Sequence, residues 1–287
     1  MTASEEKFTR QRLLEVETLT PSLFTLRTTR DPGFRFAAGQ FARLGVRKPS
    51  GSLVWRAYSM VSAPHDDFLD FFSVVVPGGE FTCELRRLGP GDELLIERQP
   101  YGYLTLDRFP DGRDLWLLAT GTGVAPFLSI LQDFEAWERF ERIVLVYSVR
   151  EARELAYQSL IHTLVERDYL AEHAHKLTYL PTITREQVPG ALHGRITALL
   201  ESGELERAAG LELSPEHSRF QHQPRVLDHL RVAAEHDARV LGAHALRQPA
   251  DDRGHAADAE SARPAIEPDA AAGAGGGGKL LVRTGNE

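Results

Sequence analysis

DLWLLATGTGVAPFLSIL, residues 114–131, reads as a strand, a glycine turn and a helix in immediate succession. The apolar run ends at Gly121-Thr122-Gly123, after which Val124, Phe127, Leu128, Leu131 and Phe134 recur at helical spacing. Ligands of open α/β sheets bind at the carboxyl ends of strands, where a glycine turn leaves room for a pyrophosphate. The stretch lacks the complete GxGxxG pattern, so it specifies the local unit more firmly than the ligand.

Downstream, RIVLVYSV (142–149) predicts a second buried strand and ELAYQSLIHTLVERD (154–168) a helix with Leu155, Leu160, Ile161, Leu164 and Val165 inward. KLTYLPTI (176–183) predicts a third strand, and GRITALLESGELERAAG (194–210) a further helical stretch. Strands alternating with helices imply a parallel sheet covered on both faces. Arg150 and Arg185 follow strand ends and Arg195 begins a helix, so this topology is expected to gather all three on one side of the sheet. Three convergent guanidiniums suit a dianionic phosphate such as the 2′-phosphate of NADP.

Upstream, residues 8–107 alternate short aromatic and β-branched segments with Pro- and Gly-rich turns, the pattern of a β-barrel. One short helix is expected within it, with Thr82 as N-cap and Gly89 as its stop. On the strand carrying RAYS, alternation sends Arg56 and Tyr58 to one face and Ala57 and Ser59 to the other. A guanidinium can clamp phosphate, an aromatic ring can stack on a planar cofactor, and a hydroxyl can hydrogen-bond a ring nitrogen. Gly78-Gly79-Glu80-Phe81-Thr82 adds a turn where backbone can approach a phosphate closely. Taken singly, each feature also suits an ordinary strand, hairpin turn or solvated arginine.

The chain has 287 residues, enough for two domains, with 42% hydrophobic and 26% charged residues. No apolar run approaches the roughly 18 residues that span a bilayer, and the charged N-terminus lacks a signal-peptide pattern, so a cytoplasmic location is expected. Cys83 is the single cysteine, which excludes intrachain disulfides and cysteine-based zinc or iron–sulfur sites; no metal site is expected. Redox chemistry would therefore need an organic cofactor. A net charge of −8 argues against a general nucleic-acid binder.

In order and spacing the chain resembles the bacterial ferredoxin–NADP reductase family over about residues 8–219. The resemblance rests on RAYS at 56–59, GEFT at 79–82, ATGTGVAPFLSIL at 119–131, VREARELAY at 149–157, TRE at 184–186, GRITALLESGEL at 194–205 and LSPEHSR at 213–219. It implies an antiparallel FAD-binding β-barrel in 1–107 and a Rossmann-like parallel-sheet NADP-binding domain in 108–219, with hydride exchanged between NADPH and FAD and single electrons with a ferredoxin or flavodoxin. Arg56 would hold the FAD pyrophosphate, Tyr58 stack on the isoalloxazine and Ser59 approach flavin N5, which makes Ser59 and Tyr58 the catalytic candidates. Ala57, Phe72, Glu80, Phe81, Thr82 and Thr122 would complete the FAD site. Gly121, Gly123, Val149, Arg150, Thr184, Arg185 and Arg195 would hold NADP, Thr184 standing where relatives commonly carry Ser. The expected form is a monomer. A reductase serving an oxygenase, or a non-catalytic flavin-binding remnant, are the alternatives.

Residues 220–287 depart from the family, which continues into a strand, a Cys-Gly-Asn-Pro turn and a terminal aromatic. Here the segment carries His222, His229, His236, His244 and His255, no Tyr or Trp, and a Gly-rich run at 271–278, so it is expected to be largely disordered. Permitted codons for Leu246 to Pro249, read one nucleotide forward, give Cys-Gly-Asn-Pro, and those for Lys279 to Val282 give Asn-Tyr-Trp. The tail is accordingly expected to reflect a changed reading frame, with 220–245 unexplained by it, and the sheet to lose a strand.

Overall fold

The computed structural model describes residues 7–109, 112–211 and 279–283. Strands β1 (Phe8–Thr18), β2 (Leu23–Thr29), β3 (Phe41–Arg47), β4 (Leu53–Ser59), β5 (Phe68–Val74) and β6 (Glu93–Glu97) form one antiparallel sheet in the order β4-β3-β6-β1-β2-β5. Its ends are drawn together by a bridge between Met60 and Phe71, and the inward residues Leu44, Tyr58, Phe71, Leu94 and Ile96 pack into one core. Alternation of buried and exposed positions along the first half of β1 marks a sheet with one face inward. Helix α1 (Glu80–Leu85) buries Phe81 and Leu85 in that core.

The second sheet takes β7 (Asp114–Thr120), β8 (Arg142–Val149), β9 (Leu177–Ile183) and β10 (Leu192–His193) as parallel neighbours. β7 and β8 are buried almost continuously because helices cover both faces. On one face lie α2 (Ala125–Leu131), α3 (Phe134–Arg139) and α4 (Gln158–Leu164); on the other Trp116, Val144 and Val146 pack with α5 (Ile196–Glu201) and α6 (Glu204–Ala208).

Three sequence expectations are refined. The helix expected after Val124 breaks between Leu131 and Phe134: Asp133 caps a new helix by accepting from Glu135 N, and Phe134 is 36% exposed. The helical stretch expected over 194–210 is present as two helices, α5 and α6, divided at Gly203. The helix expected over 154–168 starts only after Tyr157, whose φ of 59° is left-handed. The first two breaks are local, an N-cap at Asp133 and a left-handed φ of 68° at Gly203, which the apolar period alone does not register.

The tail supplies one described element. Lys279–Arg283 forms β11, antiparallel to β7, with Leu281 opposite Trp116. At these five residues the segment expected to be largely disordered pairs with the open edge of β7, which offers backbone donors and acceptors to an extended chain. The other expectations for 220–278 and 284–287, their disorder, the lost strand and their origin in a changed frame, lie outside the described residues.

The two sheets share a core. Every residue of α2 is buried, and its apolar side chains join Val61 and Phe72 of the barrel in one cluster. Ser129 Oγ donates to the Ser62 carbonyl at 2.8 Å, satisfying the one hydroxyl in this helix. Arg139 donates to the carbonyls of Leu106 and Phe109 in the connection between the domains. Among the described residues no helix is long and apolar enough to cross a membrane.

Candidate functional site

β4 pairs with β3 so that Leu44 faces Arg56, Ala42 faces Tyr58, Arg43 faces Ala57 and Phe41 faces Ser59. The expected alternation therefore holds: Tyr58 joins the barrel core with Ala42, and Ala57 and Ser59 share the opposite face with Arg43 and Phe41. Tyr58 is 8% exposed, its ring packs beside Phe81 and edge-on to Phe71, and its hydroxyl lies 2.9 Å from Ser73 Oγ. Burial pushes the phenol up to about 12, against the opposing pull of the Ser73 hydrogen bond and the Arg56 charge. Arg56 Nη1 donates to the Trp55 carbonyl at 2.7 Å. Its guanidinium has no carboxylate partner among the described residues, which leaves most of its five donors for an anion.

The turn after β5 leads into α1. A Cβ on Gly79 would lie 2.8 Å from Thr82 Oγ1 and 3.0 Å from the Val76 carbonyl, so the turn closes only without a side chain there. Thr82 is not the N-cap expected from sequence. Gly79 holds that position, and Thr82 sits inside the first turn, where its hydroxyl accepts from Val76 N at 3.0 Å and donates to Val76 O at 3.4 Å. Glu80 is exposed and pairs with Lys48 at 3.1 Å, whereas Phe81 is 1% exposed. Phe72, expected on the wall of the FAD site, packs in the core shared by the two sheets, edge-on to Tyr157 with centroids 5.6 Å apart.

In the second domain Gly121 adopts φ +50° at the end of β7, and nothing lies within 4 Å of where its Cβ would be. Gly121, Thr122 and Gly123 form a single tight turn into α2, with Gly123 buried and Thr122 part-exposed. Beyond β8 and β9 the pairing continues: Thr184 N donates to the Val149 carbonyl at 3.1 Å and Arg185 N to the Arg150 carbonyl at 3.0 Å. Arg150 and Arg185 are thereby neighbours. β10 lies beside the end of β9, Gly194 N donates to the Ile183 carbonyl, and Arg195 is the N-cap residue of α5. All three arginines thus stand at the carboxyl edge of this sheet.

Several residues that shape the site escaped the sequence reading. Glu154 holds Arg150, Tyr147 anchors the turn containing Glu154, Tyr157 joins the domains, and Gln132 ties α2 to the barrel. Spacing offered a signal for Glu154 alone, four residues after Arg150; the others act through contacts with residues remote in sequence.

The donor set fits a flavin dinucleotide and a 2′-phosphorylated nicotinamide nucleotide. Arg56 has no carboxylate partner among the described residues, Gly121 opens space above a strand-to-helix turn, and the arginines stand where an α/β sheet receives an anion.

Comparison with known proteins agrees with this division. The Oxidoreductase FAD-binding domain family matches residues 12–105, and the Oxidoreductase NAD-binding domain family matches 117–212. Ferredoxin--NADP reductase A of Sorangium cellulosum (strain So ce56) is 46% identical over 216 residues, covering 74% of this chain and 77% of the relative. The ferredoxin--NADP reductase of Pseudomonas aeruginosa is 44% identical over 203 residues, covering 70% and 78%. Among solved structures, a ferredoxin NADP+ reductase from Neisseria gonorrhoeae with bound FAD and NADP superposes with a TM-score of 0.67 at 39% identity, covering 74% of this chain and 83% of that one.

Proposed function

Because this chain belongs to the ferredoxin–NADP reductase family, we propose that it exchanges hydride between NADPH and a bound FAD and single electrons with a ferredoxin or flavodoxin, as a monomer in the cytoplasm. When bound, FAD supplies the conversion between two-electron and one-electron transfer. The protein contributes position and charge. Arg56 clamps the FAD pyrophosphate through donors that no carboxylate among the described residues occupies. Tyr58 presents an aromatic surface, and Ser59, on the opposite face of β4, supplies a hydroxyl for the flavin N5 edge. Ala57, Glu80, Phe81 and Thr82 complete that wall, with Thr122 reaching it from the second domain. Phe72 acts from behind, supporting β5 against Tyr157.

Gly121 and Gly123 leave room for the NADP pyrophosphate, Val149 ends the strand beneath it, and Thr184 adds a hydroxyl. The observation that carries the reading is the placement of Arg150, Arg185 and Arg195 along the carboxyl edge of one sheet, a grouping with a clear common use when the coenzyme bears a 2′-phosphate. The test is coenzyme selectivity of the FAD-loaded chain. Each of Arg185→Ala and Arg195→Ala should raise the KM for NADPH by roughly tenfold or more, since a charge-assisted contact contributes about 1.5–3 kcal/mol. The KM for NADH should move far less. Equal use of NADPH and NADH by the unaltered chain would sink the assignment.

A further inference from the structure

Arg150 is held by a single edge. Its Nη2 donates to Glu154 Oε1 at 2.9 Å and its Nε to Oε2 at 3.4 Å, while Nη1 makes no hydrogen bond to the described residues. Glu154 Oε2 also accepts from the Arg150 backbone N at 2.9 Å, so one carboxylate fixes both the main chain and the side chain of the same residue. The Glu154 side chain is 13% exposed and that of Arg150 46%, which places the anchor inside and the cation outside. Below them, the fully buried Tyr147 hydroxyl donates to the Glu154 carbonyl at 3.3 Å and accepts from Ala156 N at 3.4 Å, tying the turn to the core of β8.

We propose that Glu154 is a positioning residue that presents Arg150 to the coenzyme's 2′-phosphate and thereby sets the preference for a phosphorylated over an unphosphorylated nucleotide. The inference rests on the proposed placement of that phosphate and deepens it. A long arginine side chain that is already oriented loses less freedom when its ligand arrives. The carboxylate also repels a phosphate approaching the edge it occupies, so the dianion is admitted on the Nη1 side. A purely local role exists to be tested against this, because Glu154 and Glu151 form a reciprocal capping arrangement around residues 152–154.

The experiment measures calorimetric binding of adenosine 2′,5′-bisphosphate and adenosine 5′-monophosphate to the full-length, FAD-loaded chain. Glu154→Ala should weaken the bisphosphate roughly tenfold and the monophosphate by less than about twofold. Glu154→Gln, which keeps an acceptor oxygen for Arg150, should recover most of the lost selectivity. In an Arg150→Ala background, Glu154→Ala should change the ratio of the two affinities no further. The proposal is overturned if both ligands weaken alike, or if the effect of Glu154→Ala persists without Arg150, since either result assigns Glu154 to the turn alone. If Arg150→Ala itself leaves the ratio as it was, the placement of the phosphate on Arg150 has failed, a result separable from failure of Glu154 alone.

Discussion

Gln132 Nε2 donates a 2.7 Å hydrogen bond to the Val61 carbonyl, joining the end of α2 to the loop that leaves β4. Arg167 Nη2 in turn donates to Gln132 Oε1 at 2.9 Å, so this amide is satisfied on both sides at 4% exposure. Gln132→Ala would leave the Val61 carbonyl buried without its donor, which costs about 1–3 kcal/mol. Urea unfolding of the full chain should show that loss, and a change below about 0.5 kcal/mol would remove Gln132 from the domain junction.

Arg56→Ala should weaken FAD binding by about 1.5–3 kcal/mol, the contribution of a charge-assisted contact. Recovery of flavin fluorescence on dilution measures it. Undiminished FAD retention in the variant would mean that Arg56 does not touch the pyrophosphate.

Alkaline pH should destabilise the fold through buried phenols. Burial pushes Tyr58 up to about 12 and raises Tyr147 and Tyr157 as well. A raised folded pKa means that the unfolded chain releases its proton first, at about pH 10, so the stabilisation is complete below that value and declines as pH rises towards the folded pKa. For Tyr58 the window is about pH 10 to 12, at up to about 1.4 kcal/mol per pH unit. Urea midpoints across pH 9–12 should fall more gently in Tyr58→Phe than in the unaltered chain. Identical slopes would count against the assigned burial.

Ending the chain after residue 278 removes β11 and exposes the edge of β7 along Asp114–Leu118. The shortened protein should melt at lower temperature and aggregate more readily, because an open edge offers unpaired donors and acceptors to other chains. Light scattering during a thermal ramp reads both effects. Unchanged melting and scattering would show that the pairing contributes nothing to stability.

The sequence by itself determined the two-domain plan, the strand–turn–helix unit at 114–131, the alternation that separates Arg56 and Tyr58 from Ala57 and Ser59, and the placing of Arg150 and Arg185 after strand ends and of Arg195 at a helix start. These are local properties, because side-chain period, turn chemistry and strand order follow from residues close along the chain. Only the tertiary structure decided that Thr82 turns back to Val76, that Phe72 faces Tyr157, that the helix after Val124 stops where Gln132 meets Val61, and that Lys279–Arg283 covers β7. Each of these depends on which buried donor, ring or backbone edge another segment brings within reach, and hydrophobic periodicity carries no record of that partner.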